Sequence, residues 1–323
     1  MTTSTDLRPL GRSGLAIRPL ALGGNVFGWT ADEETSHAVL DRFVDAGFSL
    51  VDTADVYSKW VPGNRGGDSE EIIGSWLAAR GGRDRLVIAT KVGGEMAPGA
   101  SGLSARHIKQ AAEASLLRLR TDHIDLYQSH YPDPGVPVDE TLRAYGDLIA
   151  EGKVRAIGLS NHDPAQLRAA LAAAGPGLPR YEVLQPLYNL CDRAGFERDF
   201  APVCRAEGLG VISFKALANG FLSGKYRSPA DLAGSKRAKA VKGYLDARGL
   251  AILTALDEVA ARLGASPAQV AVAWVISRPE VTAPIASATS VAQVESLLGA
   301  VRLVLDADAL AALDRTSAPA EAA

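Results

Sequence analysis

The chain has 323 residues, 47% of them apolar, enough for one large α/β domain with a substantial core. A formal net charge of -3 with no long basic block gives nucleic-acid binding no electrostatic support. The two cysteines, Cys191 and Cys204, make neither a metal-ligand cluster nor a disulfide framework, the N-terminus lacks the basic and apolar regions of a secretory signal, and no apolar run reaches the ~20 residues of a membrane span, so the expectation is a soluble, cytoplasmic protein with no membrane partner.

Residues 8–17 carry Leu-Gly-Arg-Ser-Gly between alternating residues, a pattern that predicts a small hairpin. Residues 20–24, Leu-Ala-Leu-Gly-Gly, read as a first strand whose glycines serve either a tight turn or the close approach of a ligand. A helical pattern runs from Thr30 to Ala46 with carboxylates in its first turn. Residues 49–57, Ser-Leu-Val-Asp-Thr-Ala-Asp-Val-Tyr, begin as a short apolar run and turn polar at Asp52. They read as a buried strand delivering a carboxylate at its C-terminal end, with Tyr57 on the loop beyond. The irregular stretch 58–68 is a surface loop in which Trp60 is either incidental or a wall of a substrate site. A second helix starts at Ser69 and stops near Gly81-Gly82, and a strand over 86–91 ends in Lys91. Ser104 N-caps a helix through Leu119, and a strand over 124–130 ends in His130.

A helix over 136–150 leads to a fifth strand ending at Ser160 and Asn161, which either cap the turn to Asp163 or face a ligand. Residues 181–189 and 209–214 supply the sixth and seventh strands. A mostly aperiodic stretch over 215–242 follows, longer than structureless loops usually are without a function. Helices over 247–263 and 267–276, a strand over 281–285, a helix entered through 286–293 and a helix over 306–315 complete the chain, with 1–6 and 318–323 as flexible ends. The alternation of strand and helix argues for a parallel sheet wrapped by helices.

The strand ends carry the chemistry. A tyrosine of ordinary pKa near 10 is a poor proton donor at neutral pH. An adjacent ammonium favours the phenolate and lowers that pKa, a carboxylate can hold the ammonium in place, and a histidine can orient a carbonyl oxygen. Asp52, Tyr57, Lys91 and His130 are therefore a coherent acid/base set for reducing a carbonyl or oxidising an alcohol. Taken singly, each has a plain structural reading as a turn cap, a solvated lysine or a core histidine. None carries a hydride, so the set requires a cofactor.

With these residues in place, the sequence resembles the aldo-keto reductase family over nearly its whole length. Asp52-Thr-Ala-Asp-Val-Tyr57 resembles the family's Asp-Thr-Ala-x-x-Tyr signature, Lys91 falls where the family has its lysine, Tyr127-Gln-Ser-His-Tyr-Pro-Asp133 resembles its histidine segment, and Gly158-Leu-Ser-Asn161 its cofactor segment. The resemblance implies a single (β/α)8 TIM barrel over 1–323, with a hairpin closing its bottom and a long loop after strand seven folding across a cofactor pyrophosphate. It implies an NAD(P)(H)-dependent oxidoreductase acting on a small carbonyl, alcohol or sugar. Ser160, Asn161 and Gln185 would meet the nicotinamide carboxamide and Phe214 its ring. Gly24, Asn25 and Asp52 would lie along the cofactor, Leu217, Gly220, Leu222, Gly224 and Lys225 would come from the long loop, and Ser287, Thr289 and Gln293 from the eighth segment. Lys236, Arg237, Lys239 and Lys242 offer further positive charge.

Trp29, Trp60, Tyr131 and Tyr188, with Phe27, suggest an aromatic mouth for the substrate. Members that prefer the phosphorylated cofactor often place a lysine and an arginine where this chain has Ser287 and Gln293. Another branch uses a hydroxyl residue, a glutamine and an acidic-amide pair, of which Thr289 and Gln293 match and Ser296 and Leu297 depart. NADPH is the preferred reading and NADH the alternative. The absence of a Gly-x-Gly-x-x-Gly fingerprint disfavours a Rossmann site. Two further functions compete: a cofactor-sensing subunit built on the same barrel, as in the potassium-channel beta-subunit-like branch, and a metal-dependent barrel hydrolase, for which five scattered histidines offer little. Oligomeric state is open.

Overall fold

The computed structural model describes residues 6–319. Of the ends expected to be flexible, residues 1–5 and 320–323 lie outside the described residues. The chain starts with an antiparallel pair, β1 (Arg8–Pro9) and β2 (Ala16–Ile17), and the next eight strands close into one parallel barrel. These are β3 (Ala21–Gly23), β4 (Leu50–Asp52), β5 (Val87–Val92), β6 (Ile124–Ser129), β7 (Val154–Ser160), β8 (Tyr181–Gln185), β9 (Gly210–Ser213) and β10 (Ala283–Ala286). The helices are α1 (Glu33–Asp45), α2 (Asp68–Arg80), α3 (Ala105–Leu119), α4 (Val138–Ala150), α5 (Pro164–Ala172), α6 (Ala201–Glu207), α7 (Ala238–Val241), α8 (Ala247–Leu263), α9 (Pro267–Ile276), α10 (Val291–Arg302) and α11 (Ala307–Ser317). This is the expected TIM barrel with its hairpin.

Strands buried on both faces make two cores. The barrel interior is filled by Ala21, Leu50, Ala89, Leu126, Ala156, Val183, Ile212 and Ala283. Leu10 and Ile17 of the hairpin join that cluster and plug its lower end. Gly11 makes the plug possible: a Cβ there would overlap the Glu182 carbonyl oxygen, and its φ of +62° suits glycine. The larger core lies between strands and helices. Hydroxyl or carboxylate side chains cap several of the helices, with Asp32, Ser104, Asp163, Ser266 and Ser290 each accepting from a first-turn amide. Among the described residues no single helix is long and apolar enough to cross a membrane.

Three segments differ from expectation. The sixth strand stops at Gln185 rather than running to 189, because Pro186 has no amide to continue the ladder. Between β8 and β9 a single wide turn over Phe196–Phe200 runs into α6, an element whose short, Pro202-bearing sequence conceals it. The 215–242 stretch is ordered into short helical turns over Ala218–Ser223 and Pro229–Leu232, followed by α7. Positive φ at Asn219 and Gly220 breaks the helical period there, which is why the sequence reads as aperiodic.

Helix α2 touches α3 through Gly74, where a Cβ would overlap the Arg118 carbonyl oxygen. Alanine is worth about 1 kcal/mol more than glycine in a helix interior. Gly74→Ala is nevertheless expected to destabilise the fold by about 1–3 kcal/mol, since the clash is with backbone that cannot rotate away. A fall in the denaturant midpoint at constant slope would confirm it, and a rise would show that the helices can separate without cost.

Candidate active site

In a parallel barrel all strands end at the same rim, so residues far apart in sequence converge there. Asp52 ends β4, Lys91 lies on β5, His130 follows β6, Ser160 ends β7 and Gln185 ends β8. Gly23 and Asp52 are register partners, as are Ser160 and Gln185.

The geometry centres on Lys91, which is fully buried. An ammonium has three donors, and all three are engaged: Nζ donates to Asp52 Oδ2 at 2.7 Å, to the Thr53 carbonyl at 2.8 Å and to Tyr57 Oη at 2.9 Å. Asp52 is held from its other side by Gln185 Nε2 at 2.8 Å and Gln128 Nε2 at 3.3 Å, both donating to Oδ1. The Tyr57 hydroxyl lies 3.5 Å from Asp52 Oδ2, too long for a strong hydrogen bond. Because Lys91 occupies the phenol oxygen as an acceptor, the phenol proton remains free for another partner.

Burial sets the charges. Removal from water, then the Asp52 carboxylate, holds the Tyr57 phenol well above its usual range. This corrects the expectation that Lys91 would lower it, since the ammonium is already neutralised by Asp52. Burial also pulls the Lys91 ammonium down, opposed by Asp52. Burial and the nearby Lys91 push the His130 imidazole down to about 3, so it is neutral at physiological pH. Its Nδ1 is buried without a partner, and its ring stacks on Tyr131 at 4.4 Å.

Above this set lies a cavity of about 700 Å³. Asp52, Tyr57 and His130 line one end, and Ser160, Asn161, Gln185 and Phe214 the adjoining wall. Asn161, held at φ +56°, donates Nδ2 to the His130 carbonyl at 2.9 Å, and Ser160 Oγ donates to the Gln185 carbonyl at 2.9 Å. The side-chain oxygens of Asn161 and Gln185 accept nothing from the described residues, so they suit the NH₂ of a carboxamide. Asn25, Leu217, Gly220 and Lys225 line the cavity, as do Ser287, Thr289 and Gln293. Ser287 Oγ donates to Asn25 Oδ1 at 2.6 Å, while Gln293 Oε1 accepts from the Thr289 amide at 2.9 Å just before α10.

Several expected residues lie elsewhere. Gly24 is one residue out of phase and its carbonyl accepts from Ser69 Oγ behind the barrel wall, so Gly23 faces the cavity instead. Leu222 is fully buried beneath the loop, and Gly224, with φ +80°, ends its first helical turn. Lys239 and Lys242 are exposed and do not line the cavity, whereas Lys236 and Arg237 do.

Tyr188 belongs to the outer core, its ring 4.6 Å from Phe196 and its hydroxyl donating to Glu197 Oε1 at 2.7 Å. Phe27 is fully buried as well. Trp29 and Trp60 stand at the rim, 5.7 Å apart edge to face, and Trp60 is 6.2 Å from the Tyr57 ring. Arg237 covers Trp29 at 5.0 Å, tying the long loop to the rim. Tyr131 lines the cavity and is 45% exposed.

The sequence reading missed Gln128, Lys215 as a lining residue, Tyr226 and Ser235, while Ser296 and Leu297, noted there as departures from a family pattern, also line the cavity. For Gln128 a signal was available, because it lies two residues before His130 on the same strand face.

The Aldo/keto reductase family profile matches residues 19–318. The chain is 36% identical over 316 residues to a Bacillus subtilis protein described as uncharacterized oxidoreductase YrpG, covering 94% of each chain. It is 34% identical to a probable voltage-gated potassium channel subunit beta of Arabidopsis thaliana, covering 91% of this chain and 90% of that one. It is 33% identical to norsolorinic acid reductase stcV of Emericella nidulans, covering 90% of this chain and 75% of that one. A family match across this length, on a barrel whose rim assembles the family's motif residues, places the protein: the chain belongs to the aldo/keto reductase family.

Proposed function

We propose that the protein is an NADPH-dependent reductase of small carbonyls, an aldehyde, ketone or sugar, with Tyr57 as the proton donor. The observation that carries this reading is the triply engaged Lys91, which leaves the Tyr57 proton free at the cavity end. The residues present suit a nicotinamide dinucleotide: two free amide oxygens and the Phe214 ring line the same cavity as Lys225, Lys236 and Arg237 of the loop. The positive end of the α10 dipole, with Thr289 and Gln293 lining the same cavity, would favour a phosphate. When bound, the nicotinamide would supply the hydride that the protein lacks.

The chain's own residues do the rest. Neutral His130 hydrogen-bonds the substrate oxygen and orients it beside Tyr57. As negative charge develops on that oxygen it becomes far more basic than a phenolate, so transfer of the Tyr57 proton is downhill even from a raised pKa. The phenolate left behind is held by Lys91 at 2.9 Å, an ionic contact already in place before reaction. Asp52 keeps the ammonium aimed, and Gln185 and Gln128 keep Asp52 aimed. The same groups run in reverse on an alcohol.

Loss of nicotinamide absorbance with a panel of aldehydes, ketones and aldoses tests the reading. Turnover on none, with the nucleotide bound, would favour a second one: a nucleotide sensor, which the relatives named as potassium channel beta subunits make specific. The preference for NADPH over NADH rests on the loop cations Lys225, Lys236 and Arg237, which line the same cavity as Ser287 and Gln293.

A further inference from the structure

We propose that Asp55 is a positioning residue of the active site, a buried carboxylic acid kept neutral so that Lys91 faces a single carboxylate, and that its ionisation slows carbonyl reduction. This rests on the function proposed above. Asp55 lies on the turn that wraps Lys91: its amide donates to the Lys91 carbonyl at 3.3 Å, and the Thr53 carbonyl accepts from Lys91 Nζ. Its side chain is 1% exposed, and among the described residues no side-chain donor reaches either carboxyl oxygen, the Val56 amide being the one backbone group that favours its charged form.

The groups around it leave no charge to balance an ionised Asp55. From its own loop comes Tyr57, and from β5 Lys91. From α2 comes buried Glu70, which accepts from Thr90 Oγ1 at 2.5 Å and from Arg118 Nε of α3 at 2.7 Å. From β6 comes Tyr127, whose buried hydroxyl has no hydrogen-bond partner among the described residues, and from α4 Tyr145. The two cations are each already paired, Lys91 with Asp52 and Arg118 with Glu70. A third buried carboxylate would be uncompensated, so the site favours the protonated acid. Burial, then Glu70, pushes the Asp55 carboxyl up to about 8. Above that pH its new negative charge disfavours the phenolate that Tyr57 must become.

Two measurements on wild type and Asp55→Asn decide the matter. The first needs no turnover. The folded state binds the Asp55 proton more tightly than the unfolded chain does, so wild-type stability relative to Asp55→Asn is fully present below about pH 4 and lost as pH rises to about 8. The denaturant midpoint of wild type should therefore fall relative to the variant across that window. A difference flat in pH overturns the buried acid, whatever the protein's activity.

The second is single-turnover reduction. The wild-type rate should drop about tenfold with a midpoint near about pH 8, and Asp55→Asn should lack that step. Identical alkaline limbs overturn the coupling to Tyr57 even if the stability titration holds. Absence of turnover in wild type would instead sink the proposed function and leave the first measurement standing. Should Asp55→Asn not fold, Glu70→Gln removes the neighbouring charge and must move the wild-type steps to lower pH in both assays. Unmoved steps overturn the proposal.

Discussion

Tyr57→Phe is expected to lower the single-turnover rate of carbonyl reduction by about three orders of magnitude, the middle of the range for removing a positioned general acid. The substitution deletes one oxygen and leaves the ring packed beside Trp60 and His130. Lys91 loses one of three acceptors but keeps Asp52 and the Thr53 carbonyl, so the cost to folding is about 1–2 kcal/mol. Nucleotide affinity should change by less than about threefold, because the amide oxygens, Phe214 and the loop cations are untouched. Rapid-mixing absorbance with pre-bound nucleotide isolates the chemical step from product release. A loss below about tenfold would mean that another group gives the proton.

Lys91→Met should be costly twice over. It leaves Asp52 buried without its cation, held only by Gln185 and Gln128. Breaking a buried pair from one side costs about 3–5 kcal/mol. Urea unfolding at neutral pH would read that loss directly. Adding Asp52→Asn should restore most of the stability at neutral pH while reduction stays abolished. If the single substitution is harmless at about pH 8, the Lys91–Asp52 contact is not the pair described here.

Much of this was legible in the sequence because a barrel strand writes its function locally. An apolar run that turns polar at its C-terminal end marks the rim, and Asp52, Lys91 and His130 each stand at such a point. The hairpin was legible from its turn chemistry, with Gly11 as the residue that allows close packing. What failed was phase and depth. Strand β3 is buried on both faces, so no alternation shows whether Gly23 or Gly24 looks inward, and register with Asp52 decides for Gly23. Tyr188 and Phe27 look like mouth aromatics in sequence, yet they sit in the layer between strands and helices. Charge state was the least legible: the sequence puts an ammonium beside a tyrosine, but only the folded structure shows how completely Asp52 and burial outweigh it.

The most direct test of the account is a fluorescence titration of the protein with NADPH and NADH in parallel. It predicts saturable binding of NADPH with a dissociation constant on the order of micromolar, and weaker binding of NADH, through the loop cations Lys225, Lys236 and Arg237. Binding of neither nucleotide at about millimolar concentration would contradict it, leaving the barrel and its family membership but removing the chemistry assigned to Tyr57.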